Sequence, residues 1–181
     1  MGKQLHKLTV SLQDFMAEQK IFFVATAMSE GRINLSPKGI DTFRVLDEKK
    51  ICWLNLTGSG NETATHILHH NRMTILFCAF EGAPKIVRLY GTASVFHPGD
   101  QEFGALCTLF PEIPGTRQIF EMSVELVQIS CGMGVPIMAF EGNRKELIDW
   151  AKGQGEEGLE AYRNKKNSIS LYGLSTRIQK G

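Results

Sequence analysis

The chain has 181 residues, 43% of them hydrophobic, and a formal net charge of +1 from 20 Lys plus Arg against 19 Asp plus Glu. That length suits one globular domain with a sizeable core, so residues 1–181 are read as a single domain. The near-zero charge, with no basic block, argues against a large nucleic-acid footprint, and no apolar run approaches the roughly 20 residues of a membrane span.

The N-terminal MGKQLHKLTV has no apolar signal region, so a cytoplasmic chain is expected. Cys52, Cys78, Cys107 and Cys131 are widely spaced with no C-x-x-C pair, which fits reduced thiols in that compartment. Ser11 begins a helix with Leu12, Phe15 and Met16 on one face. Ile21–Met28 reads as a strand and Ser29-Glu30-Gly31 as a turn. Arg32–Ser36 then alternates polar against apolar, completing a hairpin. Pro37-Lys38-Gly39 is expected to end that strand, because proline cannot donate to a central ladder. Thr42–Leu46 is a short strand, followed by the charged turn Asp47–Lys50.

The next stretch organises the chain. Ile51–Thr57 is an apolar strand, Gly58-Ser59-Gly60-Asn61 a loop, Glu62 to about His70 a helix, and Met73–Phe80 a second apolar strand. Ser59-Gly60-Asn61-Glu62 has the S-x-x-E form of a capping box. Two glycines let backbone N–H groups turn into one concavity at the helix start, and Thr57, Ser59 and Thr63 surround it with hydroxyls. This is the chemistry of an anion site, phosphate above all; the plain alternative is a capped helix after a tight turn.

Gly82-Ala83-Pro84 turns the chain into the long strand Lys85–Phe96, with a bulge expected at Gly91. Asp100 caps a helix carrying Phe103, Leu106, Cys107 and Phe110, and Pro111–Gly115 is a loop. Met122–Ser130 is a strand leading to the loop Cys131–Pro136. Arg144–Ala151 and Glu156–Asn164 read as helices about a Gly/Gln hinge, in a C-terminal extension from about 142 to 181, and Ser168–Leu174 is weakly strand-like. Strands mostly in hairpin order, with helices between some of them, point to a mainly β, α+β fold: an antiparallel barrel with helical additions.

Two further patterns need weighing. Gly58-x-Gly60-x-x-Thr63 approaches a dinucleotide fingerprint with Glu81 about twenty residues on, but the third glycine is missing and the hairpins supply no βαβ units. His66 and His70 are spaced for a shared metal, yet no acidic ligand accompanies them, and a polar helix face is preferred. Trp53 and the Phe22/Phe23 pair read as core, and Cys131 as a structural thiol.

Four segments carry a family resemblance: GRINLSPKG (Gly31–Gly39), CWLNLTGSGNETATHILHHNRMTILF (Cys52–Phe77), KIVRLYGTA (Lys85–Ala93) and SCGMGVP (Ser130–Pro136). In this order and spacing the chain resembles the pyridoxamine 5′-phosphate oxidase-like proteins with the FMN-binding split barrel. The resemblance implies a split antiparallel β-barrel, a homodimer with FMN at the subunit interface, and an oxidoreductase of unidentified substrate. It implies that Asn34, Ser36 and Lys38 face the flavin or its phosphate, and that the loop bearing Ser59, Gly60, Asn61 and Thr63, with Thr57 beside it, holds the phosphate. Arg88 would lie near the same cleft, its plainer role being a surface ion pair; no catalytic acid or base and no metal ligand is named. Two other readings stay open: a flavin-binding module without turnover, and a haem-binding relative with a histidine ligand.

The chain also departs from the family's oxidases. They place an Arg-Lys pair in the phosphate loop, where this sequence has Gly60-Asn61. They also end in a Trp- and Arg-bearing substrate segment, which the tail GLEAYRNKKNSISLYGLSTRIQKG does not match. Backbone N–H groups, hydroxyls and Lys38 would then carry the phosphate, and little turnover of pyridoxamine 5′-phosphate is expected.

Overall fold

Apolar β-prone runs set the architecture. The structure, a computed structural model describing residues 2–178, arranges them as β1 (Lys3–Leu5), α1 (Val10–Glu18), β2 (Ile21–Thr26), β3 (Asn34–Gly39), β4 (Phe43–Val45), β5 (Lys50–Leu56), α2 (Glu62–His69), β6 (Arg72–Cys78), β7 (Lys85–Phe96), α3 (Gln101–Cys107), β8 (Thr116–Cys131) and α4 (Glu146–Lys166). The strands form one sheet in the order β3-β2-β6-β7-β8-β5-β4, with β1 added to β8. Every pairing is antiparallel. This leaves no parallel βαβ unit among the described residues and removes the dinucleotide-fold alternative. The sheet curls into a half-barrel, the split-barrel fold, with β3 and β4 as its two edges. Among the described residues, no helix is long and apolar enough to cross a membrane.

The core lies on the inside of this curl. Trp53 of β5 and Phe120 of β8 are paired residues whose rings stack 4.4 Å apart. Phe22, Phe43 and Phe77 cluster beside them, and α1 adds Leu12, Phe15 and Met16. Each such side chain contributes about 1.5–3 kcal/mol by leaving water. The longest ladder, β7 with β8, shifts register between Tyr90 and Gly91. A Cβ at Gly91 would sit 1.9 Å from the Ser123 carbonyl oxygen, so the expected bulge requires glycine there.

Several expectations are corrected. Pro37 does not end its strand: it pairs with Phe23 inside β3. β3 is an edge strand, where a missing N–H costs no ladder bond. β8 begins at Thr116, well before the expected Met122. The capping box is not formed, because Asn61 is the N-cap residue of α2 and no side chain caps it. Glu62 instead accepts a hydrogen bond from the Leu171 backbone N–H at 2.8 Å. His66 is buried rather than on a polar face, with Nδ1 3.1 Å from the Thr26 hydroxyl. The expected Gly/Gln hinge is present: α4 is two helical pieces that meet at Gly155, whose φ of 62° is not helical. The tail after it contributes one isolated bridge, Ile169 with Ser175.

Candidate functional site

Alternation along β3 sorts its residues onto two sides. Asn34, Ser36 and Lys38 turn toward the end of β5 and the loop before α2, whereas Ile33 and Leu35 are 73% and 64% exposed. β5 ends in Asn55 and Leu56; the chain then passes through Thr57 and the loop Gly58–Asn61 into α2, whose first turn carries Glu62 and Thr63. The start of β8 brings in Arg117. Together they enclose a cleft of about 300 Å³.

Its hydrogen bonding is unusual for a buried place. Asn34 Nδ2 donates to Thr63 Oγ1 at 3.0 Å, and Asn55 Nδ2 donates to Gln118 Oε1 at 3.1 Å. Lys38 Nζ lies 3.4 Å from Asn55 Oδ1 and 5.1 Å from the centre of the Trp53 ring. Arg117 is 3% exposed, and its Nη1 donates to the Gly60 carbonyl at 3.0 Å and to Asn167 Oδ1 at 2.7 Å. Arg117 Nε has no partner among the described residues. The ion pairs among the described residues involve neither Lys38 nor Arg117. Burial, with the neighbouring Arg117 charge, pushes Lys38 down to about 8, and burial, with Arg163 nearby, pulls Arg117 down to about 9. Two cations gathered out of water without a counter-ion are costly, and an anion in the cleft offsets that cost. The one carboxylate in the lining among the described residues, Glu62, is held by the tail through the Leu171 backbone N–H.

The structure brings together Asn34, Ser36, Lys38, Ser59, Gly60, Asn61 and Thr63, all lining this cleft. Thr57 does not line it. Its backbone N–H and its hydroxyl both donate to the Gly115 carbonyl, at 2.7 and 2.8 Å, and Arg163 Nε donates to its Oγ1 at 3.0 Å, so it braces the wall. Arg88 lies elsewhere on β7, where its Nη1 donates to Ser130 Oγ at 3.3 Å. Asn55, Arg117 and the bracing Asn167 are site residues that no sequence motif singles out. Ile119-Phe120 ahead of Met122 was the available sign that the last strand starts early and carries Arg117 inward.

A larger groove of about 1130 Å³ opens on the far side of Lys38, between β2, β3 and the segment 138–147. Its lining is mostly apolar, with scattered charges of both signs. The cleft at the Gly58–Asn61 loop therefore holds the convergent polar chemistry.

The family model described as Pyridoxamine 5′-phosphate oxidase matches residues 8–131. A protein of Aspergillus flavus, the pyridoxamine 5′-phosphate oxidase family protein ustO, is 35% identical over 92% of this chain and 74% of its own length. Among solved structures, Group A Streptococcus HupZ is similar at TM-score 0.55, with 21% identity, over 73% of this chain and 99% of that one. The FAD binding protein from Mycobacterium smegmatis is similar at TM-score 0.50, with 12% identity, over 70% of this chain and 97% of that one. The two structures share the fold, and the family model together with the A. flavus relative establishes kinship: the chain belongs to the pyridoxamine 5′-phosphate oxidase family.

Proposed function

We propose that this protein is a flavoprotein that binds FMN as a homodimer, with the FMN phosphate in the cleft at Gly58–Thr63, and works as an oxidoreductase. One observation carries the reading: Lys38 and Arg117 converge on the loop before α2, and neither makes an ion pair among the described residues. The donor set fits a phosphate monoester. Arg117 Nε, Lys38 Nζ, the Ser59 and Thr63 hydroxyls and the loop N–H groups are all donors on the same small cleft. A monoester dianion matches two cations, whereas each phosphate of a dinucleotide carries a single charge.

Bound flavin supplies the redox chemistry, and the chain supplies anchoring and orientation. The outer side of β3, with Ile33 and Leu35 exposed behind the cleft-lining residues, gives a second copy an apolar seat beside the site. The buried free thiols of Cys52 and Cys78 suit the reducing cytoplasm.

The visible spectrum of the purified protein, before and after adding FMN, tests this reading. Flavin bands that persist through gel filtration at twice the 20.2 kDa chain mass support it. A Soret band, or no retained flavin and a monomer mass, overturns it. Bleaching of the bound flavin by a reduced nicotinamide, reversed in air, supports turnover; a spectrum no donor moves marks a binding module.

A further inference from the structure

The match to the family model stops at Cys131, yet the cleft is held from behind by a residue far beyond it. α4 ends at Lys166, and the next residue, Asn167, is fully buried beneath the loop. Its side-chain amide works in two directions. Nδ2 donates to the Gly58 carbonyl at 2.9 Å, and Oδ1 accepts from Arg117 Nη1 at 2.7 Å. The same Arg117 nitrogen donates to the Gly60 carbonyl, and Asn61 Nδ2 donates to the Asn167 carbonyl at 3.4 Å. Thr176 Oγ1 donates to that carbonyl as well, so the tail closes over the residue.

Chemistry restricts what can stand there. Joining a carbonyl to a guanidinium needs one donor and one acceptor on one short side chain, which an asparagine amide has. Aspartate lacks the donor and brings a counter-charge to Arg117. Alanine leaves both the Gly58 carbonyl and Arg117 short of a partner.

We propose that Asn167 is a positioning residue for phosphate recognition: its amide sets the Gly58–Asn61 loop against Arg117 and, being neutral, leaves the guanidinium charge for a bound phosphate monoester. The proposal rests on the reading of the cleft as a phosphate site, and it assigns part of that site to the tail rather than to the barrel. Arg117 is then an anion contact, and Asn167 acts through it.

The experiment compares wild type, Asn167→Asp and Asn167→Ala as full chains. Each is measured for thermal unfolding without ligand, for affinity toward FMN and riboflavin, and for the thermal shift given by inorganic phosphate. In Asn167→Asp the buried Arg117 gains a counter-ion while the Gly58 carbonyl loses its donor, so the unfolding temperature falls less than in Asn167→Ala, while FMN affinity falls at least about tenfold. Riboflavin, which has no phosphate, binds both proteins equally. Asn167→Ala lowers both the unfolding temperature and FMN affinity, and again spares riboflavin. FMN binding to Asn167→Asp at wild-type strength overturns the proposal, as does a parallel loss of FMN and riboflavin, which is what a purely structural role produces. If wild type ignores FMN but is stabilised by inorganic phosphate, and Asn167→Asp abolishes that shift, the flavin reading fails and the role of Asn167 stands. If wild type responds to neither FMN nor phosphate, both fall. Should Asn167→Asp not fold, the FMN-to-riboflavin ratio in Asn167→Ala decides.

Discussion

β5 and β8 run side by side, and within two residues their shared surface changes character. Trp53 faces Phe120 in the register, both fully buried, their rings nearly parallel. Two positions along, Asn55 faces Gln118, buried as deeply but joined by a hydrogen bond and flanked by Lys38 and Arg117. Depth of burial therefore does not separate the core from the site. A cluster of unpartnered polar atoms does. At the aromatic end Trp53 Nε1 is a single buried donor without a partner, whereas Arg117 Nε, Gln118 Nε2 and Asn61 Oδ1 gather without partners at the other end, among the described residues. Evenly buried polar groups left short of partners mark a place shaped for something else to enter.

The largest effect should come from the apolar half. Trp53→Ala should cost about 3–5 kcal/mol of stability by denaturant titration, with a smaller change in the ratio of FMN to riboflavin affinity than Arg117→Met gives, since Lys38 loses only its contact with the ring. Arg117→Met should do the reverse. Losing a charge-assisted contact lowers FMN affinity by about 1.5–3 kcal/mol, roughly ten- to a hundredfold. Stability should fall far less than in Trp53→Ala, because losing the donor to the Gly60 carbonyl and Asn167 Oδ1 is offset by removing a buried cation that has no counter-ion among the described residues. A collapse of Arg117→Met in denaturant like that of Trp53→Ala would erase the distinction between the two ends.

Lys38 sharpens the same contrast through pH. Its pKa is lowered to about 8 in the folded chain from an ordinary 10.5. Between those values the unfolded chain binds more protons, so the unliganded protein gains stability as pH rises from about 8 toward 10.5, at no more than about 1.4 kcal/mol per pH unit. Phosphate binding needs the protonated amine, so FMN affinity should fall over the same rise, by at most about tenfold per unit. Lys38→Met should flatten both trends. Stability and FMN affinity rising together above pH 8 would show that Lys38 is not the phosphate partner.

What the sequence revealed followed from locality. The Gly58–Thr63 loop was legible because its glycines, hydroxyls and helix start are contiguous, and the polar side of β3 was legible from alternation. Arg117 lies 57 positions from the Gly60 carbonyl it meets, and Asn167 lies 109 from Gly58. Strand pairing and a helix end deliver them, which no local pattern announces. Pro37 misled because a proline reads as a stop unless its strand is known to be an edge, and that is a property of the whole sheet. The early part of β8 was hidden because Arg117, Gln118, Ile119 and Phe120 are all buried, so no alternation shows. Arg88 was placed by the resemblance alone, and its partner proves to be Ser130.

The smallest expected effect tests whether the first turn of α2 contacts the anion through its side chain or only through its backbone. Thr63 Oγ1 already accepts from Asn34 Nδ2, so the hydroxyl proton remains for a phosphate oxygen. Thr63→Val keeps shape and branching and removes that donor, which should weaken FMN by roughly 1 kcal/mol, about fivefold, with riboflavin unmoved. Valine also strips Asn34 of its acceptor, and a shift in Asn34 alone could mimic a lost phosphate contact. Asn34→Ala separates the two. If Thr63 binds the phosphate directly, Asn34→Ala leaves most FMN affinity in place and the double variant resembles Thr63→Val. If Asn34 is the real contact, Asn34→Ala alone carries the loss, and adding Thr63→Val changes nothing further. No loss in either single variant would confine the anion to the loop N–H groups, Lys38 and Arg117, and would make the Asn34–Thr63 bond a strut between β3 and α2.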